Sequence, residues 1–202
     1  MTASRPSRTL ALIGDVHAAF AALEQVVAAI PRYVELPLDG VLLVGDLGKG
    51  LGRDRPITAE RRAAYLDRVD RVLSLAATLK APVRYVPGNH DLPDLDLAGN
   101  VDRRCEALTP DLRVAGIGGA GPQRVGLSYE WDEAEIEART IDPSADVLLA
   151  HCPPKSTPLD RMWRGRHVGS TAIRAHVEAH RGLFVCGHIH EAPGIIQIER
   201  GV

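Results

Sequence analysis

The stretch Val83-Arg-Tyr-Val-Pro-Gly-Asn-His-Asp91 sets the reading of the whole chain. Its first four residues form a short apolar, β-branched and aromatic run of the kind that makes a buried strand, and Pro87-Gly88 ends it. Three polar residues, Asn89, His90 and Asp91, then follow directly at the strand's carboxyl end. The same plan recurs on both sides. Residues 9–13 run into Asp15-Val16-His17, residues 40–44 into Gly45-Asp46, residues 146–150 into His151, and residues 183–186 into Gly187-His188-Ile189-His190.

Further strands are predicted at 112–117 and 195–198. Between them lie helical stretches. Residues 18–30 place Phe20, Leu23, Val27 and Ile30 at helical spacing, and residues 58–79 do the same with Leu66, Val69, Val72, Leu73 and Leu79 behind a Thr58 cap. Residues 170–180 form a third helix, opened by Gly169-Ser170 and stopped by Gly182. Strand-helix alternation implies βαβ units and a largely parallel first half, whereas 91–126, rich in Gly, Pro and Asp, predicts short strands and loops.

At 202 residues the chain fits one domain, 1–202, and no linker divides it. Apolar residues are 45% and charged residues 25%, as in an ordinary globular protein. A net charge of −2 lacks the basic excess of a nucleic-acid binder, so no stable nucleic-acid partner is expected. No apolar segment is long enough for a signal peptide or membrane span, and three widely spaced cysteines do not make a disulfide framework. A cytoplasmic protein without membrane attachment is the expectation. Eight histidines equal the tryptophans, tyrosines and phenylalanines combined, which asks where the imidazoles sit.

In an open α/β sheet, ligands bind beyond the carboxyl ends of the strands, so the five polar clusters should converge. Asp15, His17, Asp46, Asn89, His151, His188 and His190 are then too many ligands for one ion, and imidazoles mixed with carboxylates suit Zn, Mn or Fe. Two ions about 3.5–4 Å apart can clamp the attacking and leaving oxygens of a displacement at phosphorus. With two anionic ligands among seven, such a pair keeps positive charge for a phosphate.

The order Asp-x-His, Gly-Asp, Gly-Asn-His-Asp, His, Gly-His-x-His resembles the calcineurin-like metallophosphoesterase superfamily, from Asp15 to His190. The resemblance implies a two-sheet α/β/β/α sandwich with helices outside. It implies a metal-dependent phosphoric ester hydrolase in which Asp15, His17 and His190 hold one divalent ion, Asn89, His151 and His188 the other, and Asp46 bridges. Manganese is the first candidate, with Fe, Zn, Mg or Ni as alternatives. A metal-bound hydroxide would attack phosphorus, His90 would protonate the leaving group, and Asp91 would orient the His90 ring. His151-Cys-Pro-Pro, His167-Val-Gly-Ser and Cys-Gly-His-Ile-His-Glu look like the small single-domain branch that includes cyclic-nucleotide-phosphodiesterase-like proteins.

Gly45-Asp46 is followed by Leu-Gly-Lys-Gly, not the Asp-Arg-Gly or Asn-Arg-Gly of the protein Ser/Thr phosphatases and diadenosine tetraphosphatases, which disfavours those subclasses. Family members also continue past Gly-His-x-His with more strands, whereas this sequence stops at Val202; either the sheet is smaller or the sequence is cut short. An uncovered edge strand could then pair two copies into a homo-oligomer.

The sequence therefore points to a phosphodiesterase acting on a small or nucleotide phosphoester. A phosphomonoesterase, a catalytically silent metal-bearing scaffold and a nuclease are the rivals. In segment 155–170, Lys155, Arg161, Arg164 and Arg166 surround Trp163. Trp163 and Arg164 could grip a base and phosphate, and Ser170 at a helix start offers an anion-binding terminus; a solvated charged loop is the plainer reading. Three other readings are bland: His167, His176 and His180 as solvated surface, Cys152 and Cys186 as small buried hydrophobes, and Asp91 as a turn residue.

Overall fold

The computed structural model describes residues 7–52 and 56–197. Three parallel strands, β1 (Leu10–Ile13), β2 (Gly40–Leu43) and β3 (Val83–Tyr85), form the first sheet in the order β1-β2-β3. They are joined by α1 (Phe20–Ala29) and α2 (Ala59–Ala77). The second sheet has the order β4-β5-β6-β7: β4 (Cys105–Thr109), β5 (Leu112–Ile117), β6 (Val147–Ala150) and β7 (Leu183–Val185). Only β4 runs antiparallel to its neighbour, and the sheet is flanked by α3 (Glu133–Glu137) and α4 (Thr171–Ala179).

Three cores follow from the period-two alternation of strand side chains. Val41 and Leu43 face the α1–α2 core, while Leu42 and Val44 face the second sheet. Val114, Val147 and Leu149 meet them there, and Ala115, Ile117, Leu148 and Ala150 point outward to α3 and α4. Strands buried on both faces explain the near-continuous apolar runs, and each fully buried Val or Leu contributes about 1.5–3 kcal/mol. The layers are helix, sheet, sheet, helix, as the resemblance implied.

Thr58 and Ser170 cap α2 and α4, accepting from the Arg61 and Ile173 amides. Two elements lay hidden in the sequence: β4, and α3 with its capping box of Asp132 and Glu135. The predicted strand at 195–198 does not form at 195–197: Ile195 is fully exposed and no neighbour among the described residues offers a ladder, while Ile198 lies outside them. No helix among the described residues is long and apolar enough to cross a membrane.

Candidate metal centre

All seven predicted ligands come from the carboxyl ends of β1, β2, β3, β6 and β7. The loop after β1 is wound tightly, with φ of 54° at Asp15 and 47° at His17. These left-handed conformations are uncommon outside glycine and are held here by tertiary bonds. The His17 amide donates to the Asp46 carbonyl at 2.7 Å, and the Ala18 amide to that of Leu47 at 2.9 Å. Gly45, at φ 91°, lets two loops close on each other: a Cβ there would lie 2.5 Å from His151 Nδ1.

Ligand atoms of Asp15, His17 and His190 lie within 4.8 Å of one another, as do those of Asp15, Asp46 and His151. His190 Nε2 is 3.3 Å from Asp15 Oδ1. Asp46 Oδ2 sits 3.5 Å from His17 Nε2 and 3.6 Å from His151 Nε2, so its carboxylate lies between the two groups. The His188 amide donates to both Asp15 oxygens at 3.1 Å, and its ring lies 5.0 Å from that of His151. Burial pushes the Asp46 carboxyl up, but His151, the His90 amide, His90 and His17 outweigh it and hold it below the usual carboxylate range. Burial, with His151 beside it, lowers His188 to about 3, leaving a neutral ring with a lone pair to give.

His151 provides a test of whether a cation fits. It is fully buried, and its Nδ1 lies 2.7 Å from the Val44 carbonyl, which can only accept. Nδ1 therefore carries a proton, and Nε2 faces Asn89 Oδ1 at 3.1 Å and Asp46 Oδ2. With its proton gone, Nε2 would complete a set of three acceptors that a divalent cation can join. The donor set fits divalent metal.

A family model for calcineurin-like phosphoesterases matches residues 8–192. The chain belongs to that family. Its members are metal-dependent phosphoester hydrolases, and the Asp and His cluster supplies this member's candidate ligands. One solved crystal structure superposes with a TM-score of 0.72 at 16% identity, over 90% of this chain and 84% of the other. The crystal structure of TT1561 of Thermus thermophilus gives 0.57 at 18% identity, over 90% and 81%. At such identities the likeness is one of fold. No curated protein sequence matches.

Other predicted site residues fare differently in this calcineurin-like site. The His90 ring lies 5.2 Å from that of His17, and no described residue hydrogen-bonds to either of its nitrogens. Asp91 does not orient that ring. It is fully buried, and its carboxylate accepts from the Leu47, Gly48 and Gly88 amides and from the Tyr65 hydroxyl. Ser170 is equally committed: its buried hydroxyl caps α4 and donates to Glu133 at 2.6 Å. Glu133 also takes the Thr171 and Ala172 amides, so a side chain of α3 already fills the helix terminus offered to phosphate.

Trp163 is 76% exposed at the tip of a loop whose base is rigid. Buried Asp160 holds that base, accepting from the Ser156, Thr157 and Gly169 amides and pairing with His167 at 2.6 Å. His167 is thus an anchor, and His176 bonds the Ile136 carbonyl at 2.8 Å; with half-buried His180, neither is simply solvated surface. Burial pushes the Cys152 and Cys186 thiols up to about 12, as fits small hydrophobes and not thiolate ligands. A groove of about 1220 Å³ runs from Asp15 and His190 between β1 and β7, past Ile189 and Phe184, and Leu159 of the loop lines it.

The sequence reading missed Tyr65. Its position on the α2 stripe marks it as core, and only its hydroxyl's contact with Asp91 shows another use.

Proposed function

We propose that this protein is a dinuclear metal-dependent phosphodiesterase acting on a small or nucleotide phosphoester, with manganese as the first candidate metal. Asp15, His17 and His190 would hold one ion, Asn89, His151 and His188 the second, and Asp46 would bridge. When bound, the pair would polarise the phosphoryl group and lower the pKa of water toward 7.

The observation that carries the reading is the free His90 ring beside a converged set of acceptors. A histidine whose nitrogens meet no partner among the described residues can hand its proton to a departing alkoxide or phenoxide oxygen. Asp46 fixes the start of that residue, accepting the His90 amide at 2.9 Å, which ties the candidate proton donor to the candidate bridging carboxylate. Trp163 and Arg164 would contact the base or outer phosphate of a nucleotide, a reading supported by Leu159, which joins their loop to the groove that starts at Asp15 and His190. The chain would work as one catalytic domain, in the cytoplasm, where three free cysteines stay reduced.

Hydrolysis of bis-p-nitrophenyl phosphate against p-nitrophenyl phosphate tests this, after chelator stripping and reloading with Mn, Mg, Zn, Fe or Ni. Faster diester cleavage supports the proposal. Faster monoester cleavage makes the protein a phosphomonoesterase, and no turnover with any metal leaves the scaffold reading.

A further inference from the structure

We infer that Tyr65, on α2 and outside the candidate ligand set, is a positioning residue that sets the spacing of the Asp46 and Asn89 loops through Asp91, and thereby the affinity for metal. This rests on the metal-centre reading above. Tyr65 is fully buried, and its hydroxyl donates to Asp91 Oδ1 at 2.8 Å while accepting the Leu92 amide at 3.4 Å. Asp91 Oδ1 also takes the Gly48 amide at 3.1 Å, and Oδ2 takes those of Leu47 at 3.0 Å and Gly88 at 2.8 Å. One carboxylate therefore clamps the loop bearing Asp46 to the loop bearing Asn89 and His90, and one phenol aims that carboxylate.

The packing around the phenol is equally close. A Cβ on Gly48 would fall 2.5 Å from the Tyr65 ring, and one on Gly88 would fall 2.1 Å from Asp46 Oδ1. Two loops approach this nearly only where glycine leaves room, so a small shift of Asp91 must move Asp46 against Asn89. Burial and the neighbouring Asp91 carboxylate push the Tyr65 hydroxyl up, so it remains a proton donor at any physiological pH.

Tyr65→Phe removes the hydroxyl and keeps the ring that fills the core. Calorimetric titration of Mn into chelator-stripped protein should show affinity about tenfold weaker than wild type, the lower end of what outer supports of metal ligands contribute. Replacing Tyr65 by 4-aminophenylalanine, which returns a donor at the same ring position, should restore most of it. A purely structural role would lower the melting temperature of the metal-free protein and leave the Mn affinity of the folded protein alone. Wild-type affinity in Tyr65→Phe, or failure of the amino analogue to restore it, overturns the inference. Wild-type protein that binds no Mn would instead overturn the metal-centre reading, and one that binds Mn without hydrolysing esters would overturn only the proposed activity.

Discussion

His151 Nδ1 is bonded to the carbonyl oxygen of Val44 at 2.7 Å, across 107 residues of sequence. That bond links the last residue before the β2 turn to the end of β6, in the other sheet. It fixes which imidazole nitrogen faces the site, so the joint between the two sheets also orients a candidate metal ligand.

The first prediction concerns the turn beside that bond. Gly45→Ala would put a methyl group 2.5 Å from His151 Nδ1 at a φ of 91°. The strain should cost about 1–3 kcal/mol before the clash is counted. Urea unfolding of metal-free protein should show the loss, and Mn binding should weaken because the ring must turn away. A variant of unchanged stability and affinity would mean that the turn has slack.

Asp91→Asn should be severe although it conserves shape. Both carboxylate oxygens accept two donors each, so an amide nitrogen in either place would face N–H or O–H groups. An unsatisfied buried donor costs about 1–3 kcal/mol, and the two left facing the amide nitrogen should lower the urea midpoint clearly. A midpoint equal to wild type would contradict this account of Asp91.

Stability of the metal-free protein should fall with acid. His188 takes its proton near pH 3 when folded and near 6.5 when unfolded, so between these values the unfolded chain binds more protons. Stability is therefore full above pH 6.5 and is lost as pH drops toward 3. The lowered Asp46 acts in the same direction. Unfolding curves from pH 7 to 4.5 should show the decline, with a shallower slope in His188→Gln.

His90→Ala should keep its metals and lose turnover. General acid catalysis contributes roughly 10²–10⁴-fold, and the loss should shrink for esters with good leaving groups, which need little protonation. Elemental analysis beside kcat measurements on p-nitrophenyl and phenyl diesters separates the two effects. Loss of metal from the variant would move His90 into the ligand set.

Trp163→Ala should leave stability within about 0.5 kcal/mol, since the ring is 76% exposed. If the indole stacks on a base, KM for nucleotide diesters should rise roughly tenfold, from a stacking term of about 1–3 kcal/mol. KM for bis-p-nitrophenyl phosphate should hold steady. Equal changes for both substrates would indicate a general disturbance.

Much of this was legible in the chain. Six of the seven predicted strands appear within one residue at either end, because each is a short, mostly apolar run bounded by turn residues, and β2 and β6, buried on both faces, are apolar throughout. The polar residues after them converge because parallel strands share one carboxyl edge. The predicted strand at 195–198 does not form over its described part, 195–197, for the complementary reason: apolar, β-branched residues favour pairing, but a partner strand has to be there. Helix α3 had a readable signal in Asp132 and Glu135, the capping box that opens it.

The sequence by itself determined which residue types stand at the strand ends, and with them the metal and phosphoester chemistry, since composition and spacing are local properties of the chain. Only the tertiary structure decided what the polar atoms touch. Asp91 meets Tyr65 across 26 residues and Glu133 meets Ser170 across 37, so a residue expected to orient the His90 ring became a clamp and a helix terminus expected to take phosphate was already filled. Periodicity says which face of a helix or strand is buried. It does not say which donor lies opposite a given oxygen, because that depends on how whole elements pack, and a shift of about one ångström is enough to make or break a hydrogen bond.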